Sequence, residues 1–212
     1  MENDFKKDES RDIEKNSAYQ SVGGFILEII KIVVLAFIII VPIRVFLFQP
    51  FFVQGASMEP NFEDGQYLII NELGFKETDI GFGSHKFLKV SAFRDISRQH
   101  PVVFRYPLDP NKFFIKRIIG LPGEKVQLKN GQVTIFNEEN PDGFVLDEAE
   151  YLSPESKTLG ELDIELKENE YFVMGDNRMF SSDSRAWGPV LQEDIMGEVI
   201  LRAWPLNKIS AY

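Results

Sequence analysis

The strongest pattern in the chain is an apolar block near its start. Phe25 to Phe48 reads FILEIIKIVVLAFIIIVPIRVFLF, and Ile32 to Val41 contains no polar residue. This predicts a helix from Ile26 to Phe48, about 35 Å long at roughly 1.5 Å per residue, enough to cross an apolar layer of about 30 Å. Glu28 and Lys31 fall in its first turns, where they can snorkel to headgroups or pair at i,i+3. Pro42 should kink or end the helix, and Arg44 marks the exit. Met1 to Gln20 mixes both signs of charge without apolar periodicity and reads as a flexible tail. After the block the pattern changes to short runs rich in Val, Ile, Phe and Tyr, bounded by Gly, Pro, Asn or Asp. Strands are predicted at 51–53, 67–71, 101–105, 113–119, 125–128, 132–136, 170–174 and 198–204. Asn130-Gly131 supplies the positive φ values of a tight hairpin. The fold class is therefore mainly β, an antiparallel sheet or barrel domain preceded by one N-terminal transmembrane helix. The domain reading is a charged tail at 1–24, an anchor at 25–48 and a β-rich domain at 49–212, with 137–170 as a small accessory subdomain or long loop.

Composition narrows the function. The formal net charge is -10, which argues against nucleic acid as a partner. The acid concentrates between Asn137 and Glu170, where twelve carboxylates face only Lys157 and Lys167, the pattern of a solvated surface. There is no cysteine, which removes disulfides, thiolate nucleophiles and cysteine-based metal sites. His85 and His100 lack ligand spacing, and no metal is expected.

Three polar features then stand out against this background. Ser57 lies in a turn-like setting, Gln54-Gly55-Ala56-Ser57-Met58-Glu59-Pro60. Lys116 lies inside an apolar run, Phe113-Phe114-Ile115-Lys116-Arg117-Ile118-Ile119. The third is the polar stretch from Gly175 to Arg185. A serine hydroxyl is a weak nucleophile until a base takes its proton, and histidine is nearly absent here. A lysine amine is protonated at neutral pH, but burial disfavours the ammonium and lowers its pKa. A fall of about 2 to 3 units corresponds to roughly 3 to 4 kcal/mol. The apolar neighbours of Lys116 can supply that desolvation. Arg117 points to the opposite face of the same strand and is not expected to be a second catalytic cation.

In this order the segments resemble those of the bacterial type I signal peptidases, in their Gram-positive-like form. Gly55-x-Ser57-Met58-x-Pro60 resembles the family's nucleophile box, and Phe114 to Glu124 its lysine box. Gly175-Asp176-Asn177-Arg178 with Ser181-x-Asp183-Ser184-Arg185 resembles its last box. The resemblance covers roughly Phe25 to Ile209. It implies a membrane-bound serine endopeptidase that cuts signal peptides from exported preproteins after a small-x-small motif, without cofactor or metal. Ser57 would be the nucleophile and Lys116 the general base. Ser181 would orient the lysine, and Asp183 and Arg185 would support the site. Phe51, Val53, Met58, Phe62 and Ile115 would line the substrate pockets. The Ser57 N–H would be one oxyanion donor; where some relatives carry a second, a serine hydroxyl, this chain has Gly55. The partners implied are preproteins and a lipid bilayer, which the run from Phe46 to Phe52 could touch. The location implied is the cell membrane, single-pass, with the N-terminus cytoplasmic and the catalytic domain outside.

Asn61 departs from the small hydroxyl residue usual at its position, and the stretch from Leu73 to His100 matches nothing in the pattern. Two other readings stay open. A self-cleaving DNA-binding repressor could share the serine–lysine pairing, although the apolar block and acidic balance count against it. A tethered module could bind signal peptides without cutting them, although Ser57 and Lys116 are both present.

Overall fold

The computed structural model describes residues 23–40, 48–72, 74–75, 78–82, 85–90 and 95–212. The chain divides into two compact units, Met1–Val45 and Phe46–Tyr212. In the first, α1 (Gly23–Ile40) is an 18-residue helix of mean hydropathy 2.6 with no part of it buried. Ile32 and Phe37 are 67% and 68% exposed. Apart from Glu28 and Lys31 near its start, the helix has no polar face to give to water, so it calls for an apolar surrounding. Its length, about 27 Å at 1.5 Å per residue, suits a bilayer core. The tail to Gln20, Pro42, Arg44, Phe46 and Leu47 lie outside the described residues. Phe48, which the hydrophobic pattern assigns to the helix, instead opens a strand and pairs with Asn71. An unbroken apolar run cannot by itself mark where helix gives way to a paired strand.

The second unit is a β-domain whose described pairings are all antiparallel. Its strands are β1 (Phe48–Phe52), β2 (Tyr67–Asn71), β3 (Thr78–Phe82), β4 (His85–Val90), β5 (Pro101–Tyr106), β6 (Asp109–Gly120), β7 (Lys125–Lys129), β8 (Gln132–Phe136), β9 (Phe144–Val145), β10 (Leu162–Glu165), β11 (Glu170–Met174), β12 (Val190–Leu191), β13 (Ile195–Trp204) and β14 (Ser210–Ala211). A single-turn helix, α2 (Ser184–Trp187), follows β11. The main sheet runs β1-β2-β13-β5-β6-β11-β12, with β14 on β13. A second sheet runs β10-β7-β8-β9, and β3 and β4 form a separate hairpin. Pro50 lies in β1 at the sheet edge, where a missing N–H breaks no ladder. Asn130 and Gly131, at φ 52 and 80, make the tight β7–β8 turn that the Asn-Gly pair predicts.

β6 is the wall shared by the cores. Successive residues point to opposite faces, so Ile118 packs with Phe104, Val173 and Ile195, while Ile119 packs with Val126, Leu128 and Phe172. A third cluster joins Val53, Met58, Phe62, Leu68 and Ile70 to Val103 and Val199. The acidic segment is not all solvated surface. Its β9 and β10 flank β7 and β8, and Glu148 forms an ion pair with Arg178, whose side chain is only 1% exposed. A guanidinium that deeply buried requires a counter-charge.

Gly197 in β13 is a point of close approach. A Cβ there would lie 2.1 Å from the Asn71 carbonyl oxygen, a backbone atom that cannot swing aside. Gly197→Ala should therefore break the β13–β2 pairing and destabilise the domain by about 3 kcal/mol, read as a lowered urea midpoint of the purified chain.

Candidate active site

Ser57 sits on the loop between β1 and β2. Gly55 takes φ +84, which L side chains resist, and donates its N–H to Asp64 Oδ1 at 2.7 Å. Val53 N–H to Gln66 O at 2.9 Å and Gly65 N–H to Val53 O at 3.0 Å close the base of the loop. Met58 and Phe62, 1% and 0% exposed, anchor it from beneath.

β6 brings Lys116 to this loop. Its Nζ donates to Ser57 Oγ at 2.7 Å and to the Ile115 carbonyl at 2.9 Å, and lies 5.3 Å from the centre of the Phe114 ring. Lys116 is 3% exposed. Burial lowers its pKa from 10.5 to about 8, with the charges of Asp183 and Asp176 opposing the fall.

The polar stretch after β11 closes over the pair. Gly175 is obligatory there, because a Cβ would lie 2.2 Å from Ser181 Oγ and 2.3 Å from the Ser57 carbonyl oxygen. Asn177 donates its backbone N–H to Ser57 O at 3.1 Å and its side-chain amide to Ala56 O at 3.0 Å. Asp183 accepts from the Gly175 N–H at 3.0 Å and from Arg185 Nε and Nη2, each at 2.8 Å. Burial pushes the Asp183 carboxyl up, but Arg185, the Gly175 N–H and the nearby Ser181 outweigh it and hold the pKa below the ordinary value. The Ser181 hydroxyl falls short of a formed hydrogen bond to Asp183, and its buried oxygen has no bonded partner among the described residues. It occupies the space that a Cβ at Gly175 would need, and no hydrogen bond joins it to Lys116.

Sequence reasoning missed the support on the reverse face of β6. Arg117 does point away from Lys116, and there it grips Asp176 through Nε at 2.8 Å and Nη2 at 2.5 Å. Asn61, the departure from the usual residue type, donates to the same carboxylate at 2.9 Å and to Tyr151 O at 2.7 Å. The signal was present as unassigned polar positions, Asp176 and Asn177, inside the third segment.

A cleft of about 710 Å³ runs past the Ser57–Lys116 pair, and Phe51, Val53, Leu68, Val103 and Ile115 are among the residues that line it. Met58 and Phe62 are not on its wall. Both side chains turn inward to the core, because an apolar residue flanking a tight turn gains more from full burial than from a half-open groove.

Residues 26–204 match the family model described as signal peptidase, peptidase S26. A probable signal peptidase I-2 of Synechocystis sp. is 32% identical over 190 residues, covering 87% of this chain and 76% of that protein. Signal peptidase IB of Staphylococcus aureus is 28% identical over 195 residues, covering 87% and 93%. A crystal structure of a signal peptidase I from Enterococcus faecalis V583 is 28% identical, with a TM-score of 0.41, covering 50% of this chain and 97% of that one.

The lowered pKa of Lys116 carries a stability cost with a defined pH range. Below about 8 the folded protein holds a buried ammonium at a cost of about 3 kcal/mol. That cost disappears as pH rises from about 8 to 10.5, where the unfolded chain also loses its proton. Lys116→Met should therefore be more stable than the parent at pH 7, by on the order of 1 to 3 kcal/mol. The gain should shrink toward pH 10.5, as read by denaturant melts across pH.

Proposed function

This chain belongs to the signal peptidase family, peptidase S26, whose model spans residues 26–204, and on that premise we propose that it cleaves signal peptides with Ser57 as nucleophile and Lys116 as general base. The activity is that of a signal peptidase I, a serine endopeptidase. The observation that carries the assignment of roles is the 2.7 Å contact between Ser57 Oγ and a lysine nitrogen whose ammonium burial has made a stronger acid, with a pKa lowered to about 8, so that a neutral fraction exists near physiological pH and grows as pH rises.

In the neutral state the hydrogen bond reverses, and Ser57 O–H donates to the Lys116 amine. Oγ attacks the scissile carbonyl carbon while Lys116 takes the proton. The carbonyl electron pair moves onto oxygen, opposite the Ser57 N–H. The intermediate collapses, the C–N bond breaks, and Lys116 returns its proton to the leaving amine. The ester left on Ser57 is hydrolysed by water, with Lys116 again the base. Ser181 is assigned the orienting role toward Lys116, since its buried oxygen is otherwise unbonded. Asp183 and Arg185 hold the Gly175 strand end beneath it.

The substrate reading follows from the cleft. Residues 51–57 form one side and 111–116 the other. β1 is a sheet edge, and β6 pairs with β11 only from Arg117 onward. Two unpaired strand edges therefore flank the cleft, suited to an extended peptide held by main-chain hydrogen bonds. Apolar walls from Phe51, Val53 and Ile115 suit small side chains on either side of one that faces outward, the small-x-small pattern. The exposed apolar helix α1 supports a single membrane anchor, with the residues before it cytoplasmic and the β-domain outside. The segment before the helix is then the tail, the anchor includes Gly23–Ile40, and the peptidase domain includes the strands from Phe48 onward.

Cleavage of a model preprotein in detergent, with the cut site read by mass spectrometry, tests this directly. Ser57→Ala and Lys116→Ala should each lose activity by about 10³-fold or more. In the parent, kcat/KM should rise with pH along one limb of apparent pKa near 8 as the amine becomes neutral. Substantial cleavage by either variant, or a limb near pH 6, would overturn the pairing.

A further inference from the structure

The geometry points to Asn177 as a positioning residue that aims the Ser57 N–H at the developing oxyanion by holding the other end of the same peptide plane. The inference rests on the proposed role of Ser57 and deepens it.

A trans peptide is planar, with its C=O and N–H pointing in opposite directions. The plane between Ala56 and Ser57 therefore carries two functional ends. One is the Ala56 carbonyl, which receives the Asn177 side-chain amide at 3.0 Å. The other is the Ser57 N–H, for which no acceptor is found among the described residues. Fixing the carbonyl fixes the direction of the N–H. Ala56 O also accepts from Glu59 N–H, at the longer distance of 3.2 Å, so the plane would be loosened without Asn177 rather than freed.

Asn177 is itself held for this task. Its N–H bonds Ser57 O at 3.1 Å, and its own carbonyl accepts from Phe180 N–H at 3.0 Å. The preceding Asp176 is gripped by Arg117 and Asn61. Ala56 and Ser57 line the cleft, whereas Asn177 does not, so it acts through the peptide and not on the substrate. The demand on the plane is high because the neighbouring main-chain donor is already engaged. The Gly55 N–H is committed to Asp64 at 2.7 Å. With that donor spent, the direction of the Ser57 N–H decides how well the negative oxygen is met, and a donor only a fraction of an ångström off loses much of its effect.

The test uses the full chain in detergent with Asn177→Ala, Asn177→Asp and Asn177→His. Asp is nearly isosteric but offers the Ala56 carbonyl no donor, and His places a ring N–H near the original amide nitrogen. Two probes accompany preprotein cleavage, a substrate-like peptide aldehyde and the same peptide as an alcohol. Ser57 Oγ adds to the aldehyde carbon, the carbonyl pair moves to oxygen and the serine proton passes to Lys116, so the adduct needs the oxyanion donor. The alcohol binds without it. The Ala and Asp variants should lose about 10- to 100-fold in kcat and bind the aldehyde more weakly by a similar factor. KM and alcohol affinity should stay within about twofold, with the pH limb unmoved in the Ala variant and His recovering part of the loss. Unchanged aldehyde affinity in Ala and Asp would overturn the inference. So would a parallel loss of KM, alcohol affinity and thermal stability, the mark of a collapsed loop. Cleavage surviving in Ser57→Ala would instead remove the nucleophile assignment beneath it.

Discussion

Desolvation of the Lys116 amine is the constraint on which the site depends. An exposed lysine next to Ser57 would hold its proton at neutral pH and could not accept another. At 3% exposure, against Phe114 and the apolar end of β6, the ammonium becomes costly enough to bring its pKa to about 8. Among the described residues, Lys116 Nζ is the side-chain nitrogen bonded to Ser57 Oγ. The long strand β6, with its last five residues buried, is the means by which the sheet holds that amine dry.

The same constraint explains the arginines around it. Asp176 and Asp183 both act to raise the Lys116 pKa by favouring its charged form, and left alone they would undo the desolvation. Each is matched by a guanidinium, Arg117 on Asp176 and Arg185 on Asp183. Arg178 is likewise matched by Glu148. The polar stretch after β11 can therefore be rigid and richly hydrogen-bonded without placing net negative charge beside the base. Buried pairs of this kind contribute little net stability. What they contribute here is a fixed geometry at a tolerable field.

How much of this could be read in the sequence follows from which forces are local. The Asn130-Gly131 turn, strands 67–71, 132–136 and 170–174 and the pairing of Ser57 with Lys116 were legible because turn chemistry, alternation and the three motif segments mark them directly. The strand hairpin at 78–90 was not, since its residues alternate poorly and its partner is its own neighbour. The short strands β9, β10, β12 and β14 carry too few residues to show a period. Met58 and Phe62 flank the nucleophile in sequence, but which apolar residue faces a groove and which faces the core is decided by the closed loop. The partners of Asp176 were hidden for the same reason. Asn61 and Arg117 reach it from 115 and 59 residues away, and no spacing rule connects them.

That long range has a consequence for when activity can exist. Ser57 lies 59 residues from Lys116 and 120 from the backbone amide of Asn177. The three meet only when the β1–β2 loop, β6 and the end of β11 are all in place. Closing such loops is slow and comes late in the folding of non-local sheets. Before that point Lys116 is hydrated and charged, so Ser57 lacks its proposed base, and the Ala56–Ser57 peptide has no fixed direction. Partly folded chains should therefore be inert, because the proposed base exists only once the amine is buried. The packing that keeps water from the seam between the loop and β6 is thus also what the proposed Ser57–Lys116 chemistry requires.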